Sequence, residues 1–130
     1  METTVEEIKK CREGKFILID NAPCKVTSLK ISKPGKHGEA KARLEAVGIF
    51  DGQKRVIVKP AGHKVRIPIV IKKNAQVISI SGDNAQLMDL EDYSMFETRI
   101  PDDLKGKVVE GGEVVIWKFG DYVMIKGVKA

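Results

Sequence analysis

The feature that most limits the fold is a strand-like alternation that is broken repeatedly by turn-forming residues. Residues 26–31 and 40–47 alternate apolar with polar side chains, which is the period of a half-buried β-strand. The stretch between them contains a proline and two glycines, which supply the fixed and the positive backbone angles that a reversing chain needs. The sequence therefore predicts a β-hairpin whose tip carries Lys36.

Turn-forming residues also divide the rest of the first half into short segments. Turn signals at Asn21-Ala22-Pro23, Asp51-Gly52 and Pro60-Ala61-Gly62 separate short apolar runs. The predicted strands are residues 15–19, 24–31, 40–49, 55–59 and 64–71. Five short strands at this spacing fit an SH3-like barrel, which we assign to residues 1–72. Residues 5–12 fit either a short helical turn or an irregular lead.

The second half, residues 73–130, follows a polar segment at 72–74 that is predicted to be a hinge. A proline and two aspartates near residues 101–105 suit the first turn of a short helix. The predicted strands are residues 76–81, 86–90, 93–100, 114–119 and 122–128. Five strands with one short helix after the third fit an OB-fold. The predicted fold class is all-β, with two small barrels.

Charge is divided unevenly along the chain. Counting through Lys73, 17 Lys and Arg stand against 8 Asp and Glu, whereas the remainder has 6 against 10. A basic first part favours an anionic partner there, most simply RNA. Lysines on strand faces also protect the edges of sheets, so charge alone weighs about evenly between these two explanations.

Several classes of protein are disfavoured. Charged residues interrupt the N-terminal region and no apolar run is long enough to cross a membrane, so we expect a soluble, cytoplasmic protein. Cys11 and Cys24 have no CxxC partner and are expected to be buried thiols. His37 and His63 lie in no metal-ligand spacing; the first is expected to support the loop or contact RNA, and the second to lie in a turn.

The acidic and aromatic residues of the second half do not form a pattern that predicts a catalytic site. Five carboxylates lack the spacing of a calcium loop and are expected to form a solvated face: Glu91, Asp92, Glu97, Asp102 and Asp103. Exposed rings on an OB-fold can stack on nucleobases, but alternation favours Trp117 or its neighbours in the core. We predict no enzyme activity and no metal site.

The stretch from Ser32 to Lys41, SKPGKHGEAK, carries the most specific signal. A cation on a flexible stem at a hairpin tip can enter a phosphate-lined cleft or the active site of a modifying enzyme. With LIDNAPCKVTSLKI before it and ARLEAVGIFDGQK after it, the stretch closely resembles the archaeal and eukaryotic translation factor 5A family. The resemblance runs from about Lys15 to the C-terminus.

In that family, the lysine at the position of Lys36 is converted to hypusine. The motif matches at Lys33, Gly35, Lys36, His37, Gly38, Ala40 and Lys41. Pro34 and Glu39 replace the threonine and histidine that are usual in eukaryotic members, and they look like the archaeal branch. Glu39 adds a negative charge beside the loop.

The resemblance implies a ribosome-binding translation factor that does no chemistry itself. Its modified Lys36 would steady the acceptor end of the tRNA that holds the nascent peptide where peptide-bond formation is slow, notably at consecutive prolines. The implied loop and RNA contacts are Lys33, Pro34, Gly35, His37, Gly38 and Lys41, supported by Lys30 and Arg43 on the flanking strands. The alternative is an RNA-binding module that does not depend on modification.

The resemblance also implies partners. Hypusine is built from the aminobutyl group of spermidine, so a deoxyhypusine synthase is expected to act on Lys36. In the family that enzyme uses NAD, which is not a cofactor of this chain, and no other cofactor is expected. The chain is expected to be a monomer.

Overall fold

A computed structural model describes residues 1–33 and 38–129 and separates the chain into two compact units, Met1–Ile69 and Val70–Ala130. Each unit is built almost entirely of antiparallel strands, so the predicted all-β class is confirmed. Among the described residues, the helical structure consists of two single 3₁₀ turns. In the same part of the chain there is no helix with the length and apolar character needed to span a membrane.

The described residues of the first unit form six strands, and the unit is the predicted SH3-like barrel. They are β1 (Thr3–Glu7), β2 (Phe16–Ile19), β3 (Ala22–Ser32), β4 (Lys41–Gly48), β5 (Lys54–Pro60) and β6 (Lys64–Pro68). Strands β2 to β5 form a four-stranded antiparallel meander, while β1 and β6 form a separate two-stranded ribbon.

Strand alternation places one face of the meander in the core of the first unit. The residues that are fully buried or nearly so are Ile17, Ile19, Cys24, Val26, Ala42, Leu44 and Ala46, together with Ile8 and Cys11. Burying a leucine or isoleucine side chain completely contributes about 1.5–3 kcal/mol relative to leaving it in water. Both cysteines are buried free thiols, as predicted.

The N-terminal segment resolves the alternatives left open for residues 5–12. It forms strand β1, paired in register with β6 from Thr3↔Pro68 to Glu7↔Lys64, and then a 3₁₀ turn at Ile8–Lys10. The amide of Ile8 donates to the carbonyl of His63 at 2.8 Å. Strand β1 has the mostly polar sequence TTVEE and none of its residues is fully buried, so its pairing is carried by the backbone and leaves little apolar pattern.

The second unit contains five strands with one 3₁₀ turn, Asp102–Leu104, after the third, as predicted for an OB-fold. The strands are β7 (Ile71–Ser81), β8 (Asn84–Asp89), β9 (Met95–Arg99), β10 (Glu113–Phe119) and β11 (Tyr122–Val128). Their order in the sheet is β11-β10-β7-β8-β9. The hydroxyl of Thr98 on β9 donates to the carbonyl of Val123 on β11 at 2.8 Å, which links the two outer strands.

The predicted hinge at residues 72–74 is wrong. Those residues belong to β7 and pair with β10 in the register Lys72↔Trp117, Lys73↔Ile116 and Asn74↔Val115. The domain boundary drawn between residues 72 and 73 therefore falls inside a strand, whereas the structure divides the chain between Ile69 and Val70. Polar residues continue a strand when a neighbouring strand satisfies their backbone groups, as β10 does here, and the sequence of this run alone does not show that pairing.

One reason that this polar run stays in the barrel is Asp89, which is fully buried. Its carboxylate accepts from the ammonium of Lys73 at 2.9 Å and from the backbone amides of Glu91 at 2.8 Å and Asp92 at 3.4 Å. Burial by itself raises the pKa of Asp89, but these donors outweigh it and the net pKa lies below the ordinary value. The pKa of Lys73 is correspondingly raised, chiefly by the hydrogen bond to Asp89.

The aromatic residues of β10 divide between the core and the surface. Phe119 and Ile116 are fully buried, which confirms the expectation for the neighbours of Trp117. Trp117 itself is only half-buried. Successive side chains of a strand point to opposite faces, and Ile116 occupies the inner one. The five acidic residues predicted to form a solvated face are all exposed.

Candidate functional site

The predicted hairpin is formed by β3 and β4. Their pairing continues through Lys30↔Arg43 and Ile31↔Ala42 to Ser32↔Lys41. Residues 33–40 therefore connect the two strands. Pro34, Gly35, Lys36 and His37 lie outside the described residues, so what was predicted for them stays a prediction. The structure describes the strands that carry the loop and the loop residues on either side.

Strand β3 runs past the core that it helps to form. Its pairing shifts by one residue between Val26 and Ser28, and the hydroxyl of Thr27 donates to the carbonyl of Glu45 at 3.1 Å. Such a bulge bends a strand and increases its twist. Beyond it, Ile31 pairs with the fully buried Ala42 but is itself 46% exposed. The tip of the hairpin thus begins in solvent.

Four of the predicted contact residues share this end of the hairpin. Lys30 and Arg43 are directly opposite one another, Lys41 pairs with Ser32 two positions further along, and Lys33 follows Ser32. All four side chains are exposed. Within the described ranges, Lys30, Lys33 and Lys41 form no ion pair. Like charges directly opposite on adjacent strands repel, so this arrangement favours a counter-anion from outside.

The carboxylate of Glu45 reduces the positive charge at this end of the hairpin. Glu45, two residues from Arg43 on the same face of β4, accepts from the Arg43 guanidinium at 2.7 Å and lies 4.0 Å from the ammonium of Lys54. The hydrogen bond from Arg43 lowers the pKa of Glu45, and the nearby Lys54 lowers it further. Glu45 therefore stays ionised at neutral pH and neutralises part of the positive charge.

The far side of the loop is tied to a neighbouring turn. The carbonyl of Ala40 accepts from the amide of Ala61 at 2.9 Å, and the amide of His63 donates to the carbonyl of Pro60 at 2.9 Å. His63 follows this turn with an exposed side chain, which agrees with the expected turn position. Gly38 is exposed before this anchor. The chain therefore enters the loop from a long strand and leaves it through an anchored segment.

Sequence reasoning placed Lys30, Lys33, Lys41 and Arg43 together correctly, but it missed Glu45 and the anchor at Ala40. Glu45 could have been found, because alternation puts residues i and i+2 of a strand on one face. The bond from Ala61 to Ala40 joins two backbones and leaves no mark in side-chain pattern. Its discovery required the structure.

The first unit also contains a cleft of about 420 Å³, lined by Val5, Cys11, Phe16 and Pro68 among others. Burial raises the pKa of the Cys11 thiol, which keeps it protonated and makes it a poor nucleophile. Among the residues that the structure describes, no three His, Cys, Asp or Glu side chains are placed to hold a metal ion. The cationic hairpin is the feature that the first unit presents most strongly.

The fold and the site define a two-barrel β protein that presents a cationic hairpin on its first barrel and carries an OB-fold as its second. Two family models match, one described as "Translation initiation factor 5A-like, N-terminal" over residues 1–63 and one as "Eukaryotic elongation factor 5A hypusine, DNA-binding OB fold" over residues 69–129. The chain belongs to the translation initiation factor 5A family. The resemblance inferred from the sequence is confirmed.

Individual relatives and a solved structure support the same family assignment. Translation initiation factor 5A of Methanocella arvoryzae is 59% identical over 108 residues, covering 83% of this chain and 84% of the relative. The protein of that name from Methanothermobacter thermautotrophicus is 56% identical, covering 88% of both chains. The structure of eukaryotic translation initiation factor 5A from Methanococcus jannaschii has a TM-score of 0.88 at 37% identity, covering 98% of this chain and 95% of its own.

Proposed function

We propose that this chain acts on the ribosome through a hypusine side chain built on Lys36. A translation-factor role follows from family membership, and one of the matching models is described as a hypusine domain. The observation that carries the finer proposal is the hairpin, which brings four exposed cations to the two strand ends between which Lys36 lies in the sequence. The chain is proposed to work in the cytoplasm as a monomer.

The proposed mechanism is positioning. The flanking cations Lys30, Lys33, Lys41 and Arg43 would hold RNA phosphates, and modified Lys36 would steady the acceptor end of peptidyl-tRNA. Ordering a mobile reactant removes part of the entropic barrier, and well-oriented reactions gain as much as about 7–11 kcal/mol in this way. Each 1.4 kcal/mol raises a rate tenfold, so a small part of that range relieves a slow step such as joining consecutive prolines.

Modification is proposed to come from a deoxyhypusine synthase, with spermidine as the donor of the aminobutyl group. The Nζ of Lys36 would bond to the aminobutyl carbon as the bond from that carbon to the secondary nitrogen of spermidine breaks and 1,3-diaminopropane leaves. The product would keep a positive charge and extend the reach of the side chain. The protein would carry no resident cofactor, since this group is part of the covalent chain. Peptide mass spectrometry across Lys36, on protein from its native cells, tests this step directly.

The function is tested with Lys36→Arg in a translation assay that stalls at consecutive prolines. Arginine keeps the charge but offers no amine for the aminobutyl group. We expect stall relief to disappear while the melting temperature stays within about a degree of wild type. The matched control is Lys41→Arg, an exposed neighbour at the same strand end, which should retain activity. Full relief by Lys36→Arg would refute the mechanism.

A second candidate, an RNA-binding module independent of modification, is favoured by the cationic cluster alone. It predicts that Lys36→Ala removes one phosphate contact among several, so that the salt dependence of RNA binding changes by about 0.7 in log–log slope. Unmodified protein would then bind RNA and act as well as modified protein. Comparing the two forms in the stalling assay separates this candidate from the first.

A further inference from the structure

A second feature of the chain lies on the second unit. Trp117 on β10 has a lysine from each adjacent strand over its ring: the ammonium of Lys72 on β7 is 4.8 Å from the ring centroid, and that of Lys126 on β11 is 4.6 Å away. Both lysines are exposed and Trp117 is half-buried. The arrangement is a surface ring between two cations.

The pairing of β10 with β7 and β11 brings Trp117 and the two lysines together. Lys72 and Trp117 are directly paired across β7 and β10. On the other side, pairing passes from Val115↔Gly127 to Ile116↔Ile125, so Lys126 is the extra residue of a β-bulge. Bulges re-aim side chains and are frequent next to functional sites.

The side chains over Trp117 are positively charged, although acidic residues outnumber basic ones in the second half of the chain. Counted after Lys73, 10 acidic residues stand against 6 basic ones, a balance that disfavours a nucleic-acid site on charge alone. The structure turns three of those acids, Asp89, Glu91 and Asp92, toward Lys73. In the part of the chain that the structure describes, Lys72 and Lys126 have no ion-pair partner.

We propose that Trp117, Lys72 and Lys126 form a binding site for single-stranded RNA, with a base stacked on the indole and phosphates on the two lysines. A solvent-exposed ammonium over a half-buried ring is held more weakly than a stacked base, so the base can displace it while the freed lysine pairs with phosphate. An acidic peptide would use the lysines but leave the ring without a stacking partner. A cationic ligand would be repelled.

The site is not the one that the OB architecture alone suggests. Oligonucleotides usually bind OB-folds on the second and third strands, here β8 and β9. The outward residues of those strands include Gln86, Met95 and Glu97, and Phe96, the aromatic residue of the two strands, packs against the core of the unit. Ring and charge coincide instead on β7, β10 and β11. This contact would add a second RNA surface to the loop of the first unit.

Trp117 is the single tryptophan of the chain, so its fluorescence reports the site directly. The full chain is titrated with a ten-residue oligouridylate. We expect saturable quenching of at least about half the signal, because a stacked base quenches indole emission, and much weaker quenching by duplex RNA of the same length or by polyglutamate. Absence of quenching at saturating RNA would overturn the proposal, as would equal quenching by polyglutamate.

Variants then separate recognition from sheet stability. Trp117→Leu should weaken oligouridylate binding, followed by fluorescence anisotropy of labelled RNA, by about fivefold or more, whereas Trp117→Phe should lose less because it keeps a ring. Lys72→Gln with Lys126→Gln should lower the log–log salt slope by about 1.4, the value for two phosphates on a single strand. Thermal melts show whether each variant is folded.

The matched control is Lys105→Gln with Lys107→Gln, which removes two exposed charges from the same unit away from the ring. It should leave both quenching and the salt slope within error of wild type, and an equal loss would show that only net charge matters. Lys36→Arg distinguishes this site from the proposed function, because it should abolish stall relief and leave the quenching of Trp117 unchanged.

Discussion

Each barrel contains an eleven-residue strand interrupted by one bulge, but the two strands lead into different connections. Strand β3 shifts register between Val26 and Ser28, and β7 does so between Val77 and Ser79. From β3 the chain needs residues 33–40 to reach its partner, whereas Ser81 pairs with Asn84 across a two-residue turn. The two long strands are alike, so we expect the functional difference between them to lie in the connection that follows each strand.

Cations are also used differently in the two units. In the first, Lys30 and Lys41 point to solvent without an ion-pair partner among the described residues. In the second, Lys73 is turned to the buried Asp89, where it stabilises the barrel. We therefore expect the cations without an ion-pair partner to serve recognition, as proposed for the hairpin and for Lys72 and Lys126, whereas Lys73 serves packing. The predictions below test this contrast.

The largest effect is expected from exchanging the connections. Replacing residues 33–40 with Gly-Asp, the connection of β7 and β8, should leave the first barrel folded and abolish stall relief entirely. Shortening a loop from eight residues to two reduces the closure entropy by about 1 kcal/mol, which offsets the lost bond to Ala40. The proline-stall assay measures the loss of stall relief, and thermal unfolding shows whether the first barrel stays folded.

The reciprocal exchange is the control. Placing residues 33–40 between Ser81 and Asn84 should cost about 1 kcal/mol of stability through the same entropy and change nothing in the first unit. Stall relief by the shortened protein would show that the loop is not the active element, and the comparison between the barrels would fail.

The next effect concerns Asp89, which anchors the β8–β9 turn inside the second barrel. Asp89→Ala leaves Lys73 and the amides of Glu91 and Asp92 without their acceptor. Removing one member of a buried pair typically costs about 3–5 kcal/mol, and solvent access to Lys73 brings the expected loss to the lower end. Urea unfolding measures it. Glu91→Ala, which removes an exposed carboxylate 3.6 Å from Lys73, should cost far less.

Acid titration tests the same anchor without changing its packing. The pKa of Asp89 is lower in the folded chain than its ordinary value of 3.8, so its stabilisation is complete above that value and is lost as the pH falls through the folded pKa. Unfolding free energy should therefore fall below about pH 4, and less steeply in Asp89→Ala. Identical acid dependence in both proteins would contradict the anchor, because other carboxylates are common to the two.

A structural feature could be predicted from the sequence where side chains encode it, and could not where backbone pairing alone produces it. Strand β11 was predicted with its observed bounds, because alternation and the Gly120-Asp121 turn are both side-chain signals. Strand β1 and the first five residues of β7 were missed, since both segments are held by backbone pairing of mostly polar residues. The Lys30–Arg43 pair was predicted from alternation, but the Trp117 cluster depends on a bulge that displaces Lys126.

A smaller effect is expected in the β4–β5 turn, the counterpart in the first barrel of the Asp89 turn. Asp51 accepts from the amide of Gln53 and from Arg55, which lower its pKa to about 2, but it is exposed where Asp89 is buried. A Cβ at Gly48 would come within 1.8 Å of the Asp51 carboxylate. Gly48→Ala should therefore displace Asp51 and lower the melting temperature by a few degrees.

Gly62→Ala is the matched control for that variant, because a Cβ there meets nothing within 4 Å. It should melt close to wild type. A fall for Gly48→Ala as large as that for Asp89→Ala would mean that burial does not set the strength of these two turn anchors.

The smallest effect sharpens the contrast in cation use. Glu45→Gln releases Arg43 and Lys54 from their carboxylate, which makes the hairpin face more positive. We expect oligouridylate affinity to rise about two- to threefold in 50 mM salt and hardly at all in 300 mM, because exposed charges are screened over about 10 Å at 0.1 M. Glu13→Gln removes the same charge from an exposed residue outside the cluster and should change affinity less. Equal gains for both would mean that RNA responds to the net charge of the unit, whereas a gain confined to Glu45→Gln would locate the contact at the base of the hairpin.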